Sequence, residues 1–208
     1  MKFEQIFVFG LGAVGANIIM NLIRDLPNVK IAGIDYDKVA ERNYLIGTQP
    51  YLKEQRSWLK TQALKMLTYR EMGRSISVTD KEVKNQEDIK FVVEHGRDYI
   101  TLDNGKTEPV PFIVIDAFDN AKSRNFFLGL NYDIVHIGFS PMMTGEVVWD
   151  PHWSSITDVP GPDICNQLGA RSFIMALTSI ASMVIVDYCM EGNKRNVFID
   201  KFLNLKLW

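Results

Sequence analysis

The chain alternates between short apolar runs and segments whose apolar residues recur at helical spacing. Four runs have the length and composition of buried strands, at residues 6–9, 29–35, 111–116 and 133–139. A segment with helical period, residues 16–23, follows the first run. Strands that alternate with helices predict an α/β fold with a doubly wound, mainly parallel sheet.

The remaining segments extend this alternation. A helix is expected over residues 59–72, ending at Gly73, then a strand over 75–79 and a short helix over 88–94. The dipeptide Asn104-Gly105 predicts a two-residue turn inside a hairpin. Further along, the pattern predicts a helix, a strand, the longest helix and a final strand, at residues 121–130, 145–149, 172–190 and 196–208. The last strands are expected to extend the parallel sheet in antiparallel fashion.

Composition indicates one domain spanning residues 1–208. The chain is 47% hydrophobic, which is enough to build a full core. Its 208 residues are too few to add a complete second domain for a substrate. Its 23 basic and 25 acidic side chains give a net charge of −2 without long blocks of one sign, which argues against nucleic-acid and membrane partners. The chain begins with a core strand rather than a signal peptide, and no uninterrupted apolar run has membrane length. A cytoplasmic protein is expected.

A G-x-G-x-x-G turn, formed by Gly10, Gly12 and Gly15, joins the first strand to the first helix. In such units the first glycine permits the tight turn, the second lets the backbone approach a phosphate, and the third lets the helix lie close to the strand. Asp35, about 20 residues further on, is placed to accept hydrogen bonds from ribose hydroxyls. A nucleotide is therefore the expected ligand, with Gly10, Asp35 and Asp119 converging beyond the carboxyl ends of the strands.

The cysteines and histidines give no metal pattern. Cys189 lies in an apolar helix and is expected to be a core residue. Cys165 follows a loop-like segment and is interpreted as a small packing residue near the start of a helix. Two cysteines cannot form a zinc cage or a disulfide framework. The three histidines are scattered without ligand spacing.

Several short motifs occur in an order that resembles the ThiF/MoeB/ubiquitin-activating enzyme superfamily. The resemblance covers residues 5–150, and the segment 196–200 is similar to that family's closing strand. After the glycine turn come D-x-D-x-V (Asp35, Asp37, Val39), R-N-Y (Arg42, Asn43, Tyr44), Gln49, Lys60, and D-A-F-D-N (residues 116–120) followed by Arg124.

This resemblance implies an enzyme that uses ATP and magnesium to adenylate a carboxylate, typically the C-terminus of a small ubiquitin-like or sulfur-carrier protein. By the same resemblance Asp35 binds ribose, Asn43 and Gln49 orient phosphate or ribose groups, Lys60 contacts phosphates and Asp119 holds magnesium. Arg124 is expected to brace the nearby loop by pairing with a carboxylate. The family also implies a homodimer or a heterodimer with a related chain, formed through the later helices and strands.

Simpler roles remain open for the same residues. Asp37 can cap the following turn, and Asn43 can be an ordinary turn residue. Lys60 can be a solvated lysine on an amphipathic helix, and Asp119 with Asn120 can cap the helix that starts at residue 121.

The chain also departs from the family pattern. Ala13 stands where a further glycine is usual, and Thr48 stands where an arginine precedes the glutamine. Arg42, Lys53 and Arg56 are candidates to replace that positive charge. The C-x-x-C zinc pairs are missing, and the arginine-bearing first helix is not expected, because the sequence runs almost directly into the first strand. Three hypotheses therefore stand: an adenylating enzyme, a catalytically reduced nucleotide-binding scaffold subunit, and a nicotinamide-dependent oxidoreductase.

Overall fold

A computed structural model describes residues 3–102, 104–150, 152–153 and 167–207. Its centre is an eight-stranded sheet in the order β10-β9-β8-β7-β6-β1-β2-β3, with a separate two-stranded hairpin of β4 and β5. The strands are β1 Gln5–Phe9, β2 Lys30–Asp35, β3 Ser77–Asp80, β4 Tyr99–Thr101, β5 Thr107–Pro109, β6 Phe112–Asp116, β7 Ile134–Phe139, β8 Gly145–Val148, β9 Val197–Ile199 and β10 Leu205–Leu207.

The sheet is parallel from β3 through β7 and antiparallel from β7 through β10. This confirms the predicted α/β fold with a mainly parallel sheet and a C-terminal antiparallel extension. The order reverses at β1, since chain order leads outward to β2 and β3 on one side and to β6 and β7 on the other. In open α/β sheets such a switch point leaves a crevice beyond the carboxyl ends of the strands.

Helices cover both faces of the sheet, so each central strand is buried on two sides. In β1, Ile6 and Val8 belong to the core under α1, α3 and α6, whereas Phe7 and Phe9 belong to the core under α4. The α-helices are α1 Ala13–Asp25, α2 Glu41–Leu45, α3 Lys60–Met72, α4 Gln86–Gly96, α5 Ala121–Arg124 and α6 Ala170–Glu191, and short 3-10 helices occupy Lys53–Gln55 and Asn125–Phe127.

Three local predictions were wrong. The helix expected over residues 121–130 is only the single turn α5 followed by a 3-10 turn, and the chain then bends at Gly129, whose φ is +72°. The expected final strand is the hairpin of β9 and β10, because Asp200 accepts hydrogen bonds from two backbone N–H groups in its turn. The hairpin loop at Gly105 has three residues rather than two, since Leu102 N–H donates to Lys106 O.

Helix α6, with 22 residues, is the longest helix of the described chain. It is long and apolar enough to cross a membrane, but 56% of its most hydrophobic window is buried inside the domain, where it packs against α1. Cys189 lies on its buried side, as predicted, and burial raises the pKa of that thiol to about 11. The opposite side exposes Met183 and Met190, and the dimer expected from the sequence would use this surface.

Candidate functional site

The glycine turn between β1 and α1 is held closed by contacts that tolerate no side chain at two positions. Gly10 has φ +85°, and a Cβ there would lie 2.8 Å from Ala117 O. A Cβ on Gly15 would overlap Gly10 O and lie 3.2 Å from Ala117 Cβ. Gly12 differs, because a Cβ there would meet no atom within 4 Å and would project into open space. The structure therefore gives Gly10 and Gly15 packing roles and leaves Gly12 facing the crevice.

The free N–H donors of this turn belong to the first turn of α1. The N–H of Gly10 already donates to Ile34 O, and that of Leu11 to Asp35 Oδ2. The first N–H groups of an α-helix have no partner within the helix, and the helix dipole places partial positive charge there. Gly12, Ala13 and Val14 all line the crevice, so this backbone can receive an anion.

Asp35 ends β2 beside the glycine turn. Its Oδ2 accepts from Leu11 N–H and its Oδ1 from Asp37 N–H, both at 2.7 Å, and the residue is 9% exposed. Tyr51 donates its hydroxyl to Leu11 O at 2.7 Å, and burial together with the nearby Asp35 and Asp37 raises the pKa of that phenol well above its ordinary value. Asp35 therefore orders the turn and still faces the crevice.

Lys60 begins α3 and is not a solvated lysine. It is only 8% exposed, and its Nζ lies 2.8 Å from Asp37 Oδ2 and 3.9 Å from Asp35 Oδ2. The solvated-face interpretation of Lys60 is therefore wrong. Asp37, which was open to a capping role, instead pairs with this ammonium group. The three residues form one charged cluster on the crevice wall.

Asn43 lies in the short helix α2, and Gln49 lies in the irregular segment that follows it. Asn43 Oδ1 accepts from Ala40 N–H at 2.7 Å, so this side chain does stabilise its own turn while lining the crevice. Gln49 also lines the crevice, and its Oε1 is buried without a hydrogen-bond partner in the described residues. Thr48 is fully buried and its Oγ1 likewise lacks a partner. Buried polar groups normally have a hydrogen-bond partner, so the Gln49 carbonyl oxygen in the cavity wall is available to a bound molecule, whereas Thr48 does not line the cavity.

The loop after β6 carries Asp119 at the crevice edge. Asp116 Oδ1 accepts from Phe118 N–H at 3.1 Å, and Asn120 Oδ1 accepts from Ser123 N–H at 2.9 Å as the cap of α5. The capping alternative is therefore correct for Asn120. Asp119 is exposed and bonds only weakly to Asn120 Nδ2, at 3.3 Å, so its carboxylate faces the crevice.

Arg124 braces this loop, but not in the expected way. Its Nε donates to Phe118 O at 2.7 Å and its Nη2 donates to Ile137 O at 2.8 Å, tying the loop to β7. Within the described residues it forms no ion pair with a carboxylate, so the predicted pairing is wrong. The backbone carbonyls provide the acceptors because the guanidinium is buried under the loop, against Gly138.

Sequence reasoning missed a buried pair beneath the same loop. His136 Nδ1 lies 2.8 Å from Asp116 Oδ2, and both side chains are at most 1% exposed. The His136 ring also stacks on Trp153, with centroids 4.7 Å apart. Only the pairing of Asp116 and His136 in adjacent parallel strands reveals this contact, and strand register is not visible in a single sequence.

A single cavity of about 990 Å³ joins these features, near the upper end of the range for small-molecule sites. It brings together eight of the nine predicted site residues and leaves Gly15 in the packing beneath. Those eight are Gly10, Gly12, Asp35, Asp37, Asn43, Gln49, Lys60 and Asp119. The predicted convergence of Gly10, Asp35 and Asp119 is therefore seen in the geometry.

Four further cationic residues of the described chain line this cavity, and of these only Arg42 was singled out from the sequence. Lys81 pairs with Asp88 and Lys84 with Glu82, each at 2.9 Å. Lys122 and Arg42 line the cavity as well, and the described part of the chain offers neither of them a carboxylate partner. Lys53 and Arg56, the other two candidates to replace the family arginine, lie outside the cavity wall.

The carboxylates that line the cavity fit a magnesium ion only if a bound phosphate supplies further oxygen ligands. The described residues hold no group of three or more His, Cys, Asp or Glu side chains arranged for a metal ion. Magnesium usually binds through one or two carboxylates together with substrate phosphates and water, so Asp119 suits such a site beside a bound triphosphate. Cys165 lies outside the described residues, and its role stays a prediction.

Comparison with known proteins identifies the fold. No family model matches the sequence, and no curated protein matches it. Solved structures do match: E. coli MccB has a TM-score of 0.65 at 13% identity, covering 100% of this chain and 62% of that one. The structure of E. coli MccB with ATP has a TM-score of 0.65 at 12% identity, covering 100% of this chain and 64% of that one. The structure of PaaA has a TM-score of 0.68 at 12% identity, with the same coverage of both chains.

These matches show that the chain has the same fold as MccB and PaaA. The neighbours include MccB in complex with N-formylated MccA as well as with ATP. The chain spans less than two thirds of these neighbours' own length. At this identity the similarity establishes the fold, and the chemistry has to be argued from the cavity.

Proposed function

We propose that this protein is an ATP-dependent adenylyltransferase that activates a carboxylate. The observation that carries the proposal is the single cavity in which the open glycine turn, the Asp35–Lys60–Asp37 cluster and Asp119 face the same space. A carboxylate oxygen of the substrate attacks the α-phosphorus of ATP, forming the acyl–AMP bond. The bond from that phosphorus to the bridging oxygen breaks, and pyrophosphate leaves with the electron pair.

Each residue has a distinct task in this proposal. The free N–H groups at the start of α1 hold phosphate oxygens, Asp35 accepts from the ribose hydroxyls, and Gln49 completes the polar wall. Lys60 neutralises charge that develops on the departing pyrophosphate, an effect that is strongest in a partly dehydrated cavity. Asp119 would hold magnesium, which when bound neutralises phosphate charge and keeps the reacting groups in line.

The substrate carboxylate is proposed to belong to the C-terminus of a small ubiquitin-like or sulfur-carrier protein, or of a peptide. MccB, which has this fold, has been crystallised with MccA and with ATP. The catalytically reduced scaffold remains the second candidate. It is favoured by Lys60 being paired already with Asp37 and by the neutral Thr48 at the usual arginine position.

The first test concerns which nucleotide binds. We expect ATP with magnesium to bind more tightly than NAD, and Asp35→Ala to weaken ATP binding by about 1–3 kcal/mol because a buried acceptor is lost. Isothermal titration of both nucleotides measures this. Thermal melting of the variant separates lost binding from a disordered turn, since Asp35 also holds Leu11. Tighter binding of NAD than of ATP would favour the oxidoreductase hypothesis and refute this one.

The second test asks which cations replace the family arginine. We expect Arg42→Ala and Lys122→Ala each to weaken ATP binding about tenfold, because a charge-assisted hydrogen bond to phosphate is lost. AMP, which lacks the β and γ phosphates, should bind nearly as before. Lys53→Ala is the matched control, since Lys53 is exposed but lies outside the cavity. Equal losses for ATP and AMP, or a comparable loss in the control, would contradict this assignment.

A further inference from the structure

The cavity continues beyond the nucleotide-binding residues along the carboxyl end of β7 and onto β8 and β9. This part, here called the distal compartment, is lined by Phe139, Pro141, Glu146, Trp153 and Phe198. The nucleotide groups belong to the glycine turn and the end of β2. With the nucleotide placed there as proposed, the distal compartment is the part of the cavity left for the second reactant.

Most polar groups near the distal compartment already have partners. The hydroxyls of Ser140 and Thr144 bond to each other at 2.7 Å, and Arg124 donates to two backbone carbonyls. Glu146 is the exception. Its carboxylate has no hydrogen bond and no ion pair to any residue in the described ranges, although the side chain is half-buried.

The sheet register fixes what lies beside Glu146. Its cross-strand neighbours are Gly138 on β7 and Phe198 on β9, so these three positions share one face of the sheet. Gly138 has no side chain, and the Arg124 guanidinium occupies the space that a Cβ would need. The Arg124 guanidinium also lies 5.5 Å from the centroid of Trp153. Glu146 thus lies beside Phe198 and within electrostatic reach of the Arg124 guanidinium, which donates to two backbone carbonyls.

An unpartnered, half-buried carboxylate among aromatic rings is suited to one class of ligand. Burial raises the pKa of Glu146, and the charges of Arg124 and His136 oppose that shift only in part. A cation entering the compartment would pair with the carboxylate and also meet the negative faces of aromatic rings. A neutral or anionic group would leave the carboxylate without a partner.

We propose that the distal compartment selects an acyl substrate that carries an ammonium group, with Glu146 as the residue that recognises it. The substrate class is thus a carboxylate with a primary amine at its other end, either an amino acid or a peptide with a basic residue near its C-terminus. This inference rests on the proposed function, because it assigns the compartment to the acyl substrate.

The test uses small probes of graded length. A series from 4-aminobutanoate to 8-aminooctanoate, and the alkanoates of matching length, is titrated into protein saturated with magnesium and a non-hydrolysable ATP analogue. We expect one length of amino acid to bind at least about tenfold more tightly than its alkanoate. Glu146→Gln should abolish that preference and leave affinity for the ATP analogue unchanged. Glu108→Gln, an exposed glutamate on β5 outside the cavity, is the matched control.

Each result decides a different point. Equal binding of amino acids and alkanoates at every length would overturn the inference, as would a preference that survives Glu146→Gln. Lysine-containing tripeptides and their norleucine counterparts, tested next, distinguish a free amino acid from a peptide as the source of the ammonium group. Failure to bind the ATP analogue would refute the proposed function instead, and the probe series is then repeated on the nucleotide-free protein.

Discussion

Replacing Gly15 with alanine is expected to destabilise the domain by about 3 kcal/mol or more. The added Cβ would overlap Gly10 O and press on Ala117, two groups held by neighbouring strands. Helix α1 would have to move away from β1, and the buried contacts under it would be lost. Denaturant unfolding followed by far-UV circular dichroism measures the change.

Gly12→Ala is the control for this prediction, because its Cβ has nothing within 4 Å and its φ is −79°. We expect stability within about 1 kcal/mol of the unaltered protein. ATP binding should nevertheless fall sharply, since the methyl group occupies the space proposed for a phosphate. A Gly15→Ala protein as stable as the Gly12→Ala protein would contradict the packing role, and unchanged ATP binding in Gly12→Ala would contradict the phosphate site.

Removing Lys60 or Asp119 is expected to slow ATP–pyrophosphate exchange about 100-fold while changing ATP affinity much less. Both groups are proposed to act on charge that accumulates as pyrophosphate departs, so they contribute mainly in the transition state. Exchange assays of Lys60→Ala and Asp119→Ala, with the carboxylate substrate present, measure the rates. Titration of ATP under the same conditions gives the affinities.

The two variants should differ in stability. Lys60→Ala leaves the buried Asp35 without its nearby cation and is expected to cost about 1–3 kcal/mol. Asp119 is exposed and caps no helix, so Asp119→Ala should leave the free energy of unfolding almost unchanged. Exchange that survives both substitutions would rule out the catalytic assignments and leave the scaffold hypothesis.

The fold was predictable because its signals are local and repeated. The apolar runs marked the central strands, and the glycine turn marked the connection between β1 and α1. The single turn of α5 was not predictable, because the helical pattern of the sequence continues to residue 130. In the structure the helix passes into a 3-10 turn at Asn125, and the chain bends at Gly129. The two strands at the C-terminus depend on a turn ordered by Asp200, which lies inside the segment that was expected to form one strand.

Site residues that belong to a local sequence motif could be predicted, whereas site residues whose neighbours depend on which strands pair could not. Gly12, Asp35 and Lys60 all face the crevice that the sequence predicted. The acceptors of Arg124 were missed because they are backbone carbonyls, which leave no mark in the sequence. Glu146 was missed because its significance depends on the register that sets Gly138 and Phe198 beside it.

The double anchoring of Leu11 has a consequence for the kinetics of binding. Asp35 fixes its N–H and Tyr51 fixes its carbonyl, so the turn is rigid before any ligand arrives. The loop loses its conformational entropy when the protein folds, so ordering the loop does not reduce the free energy of nucleotide binding. Association should therefore follow a single step whose rate rises linearly with nucleotide concentration, without a slow rearrangement of the loop.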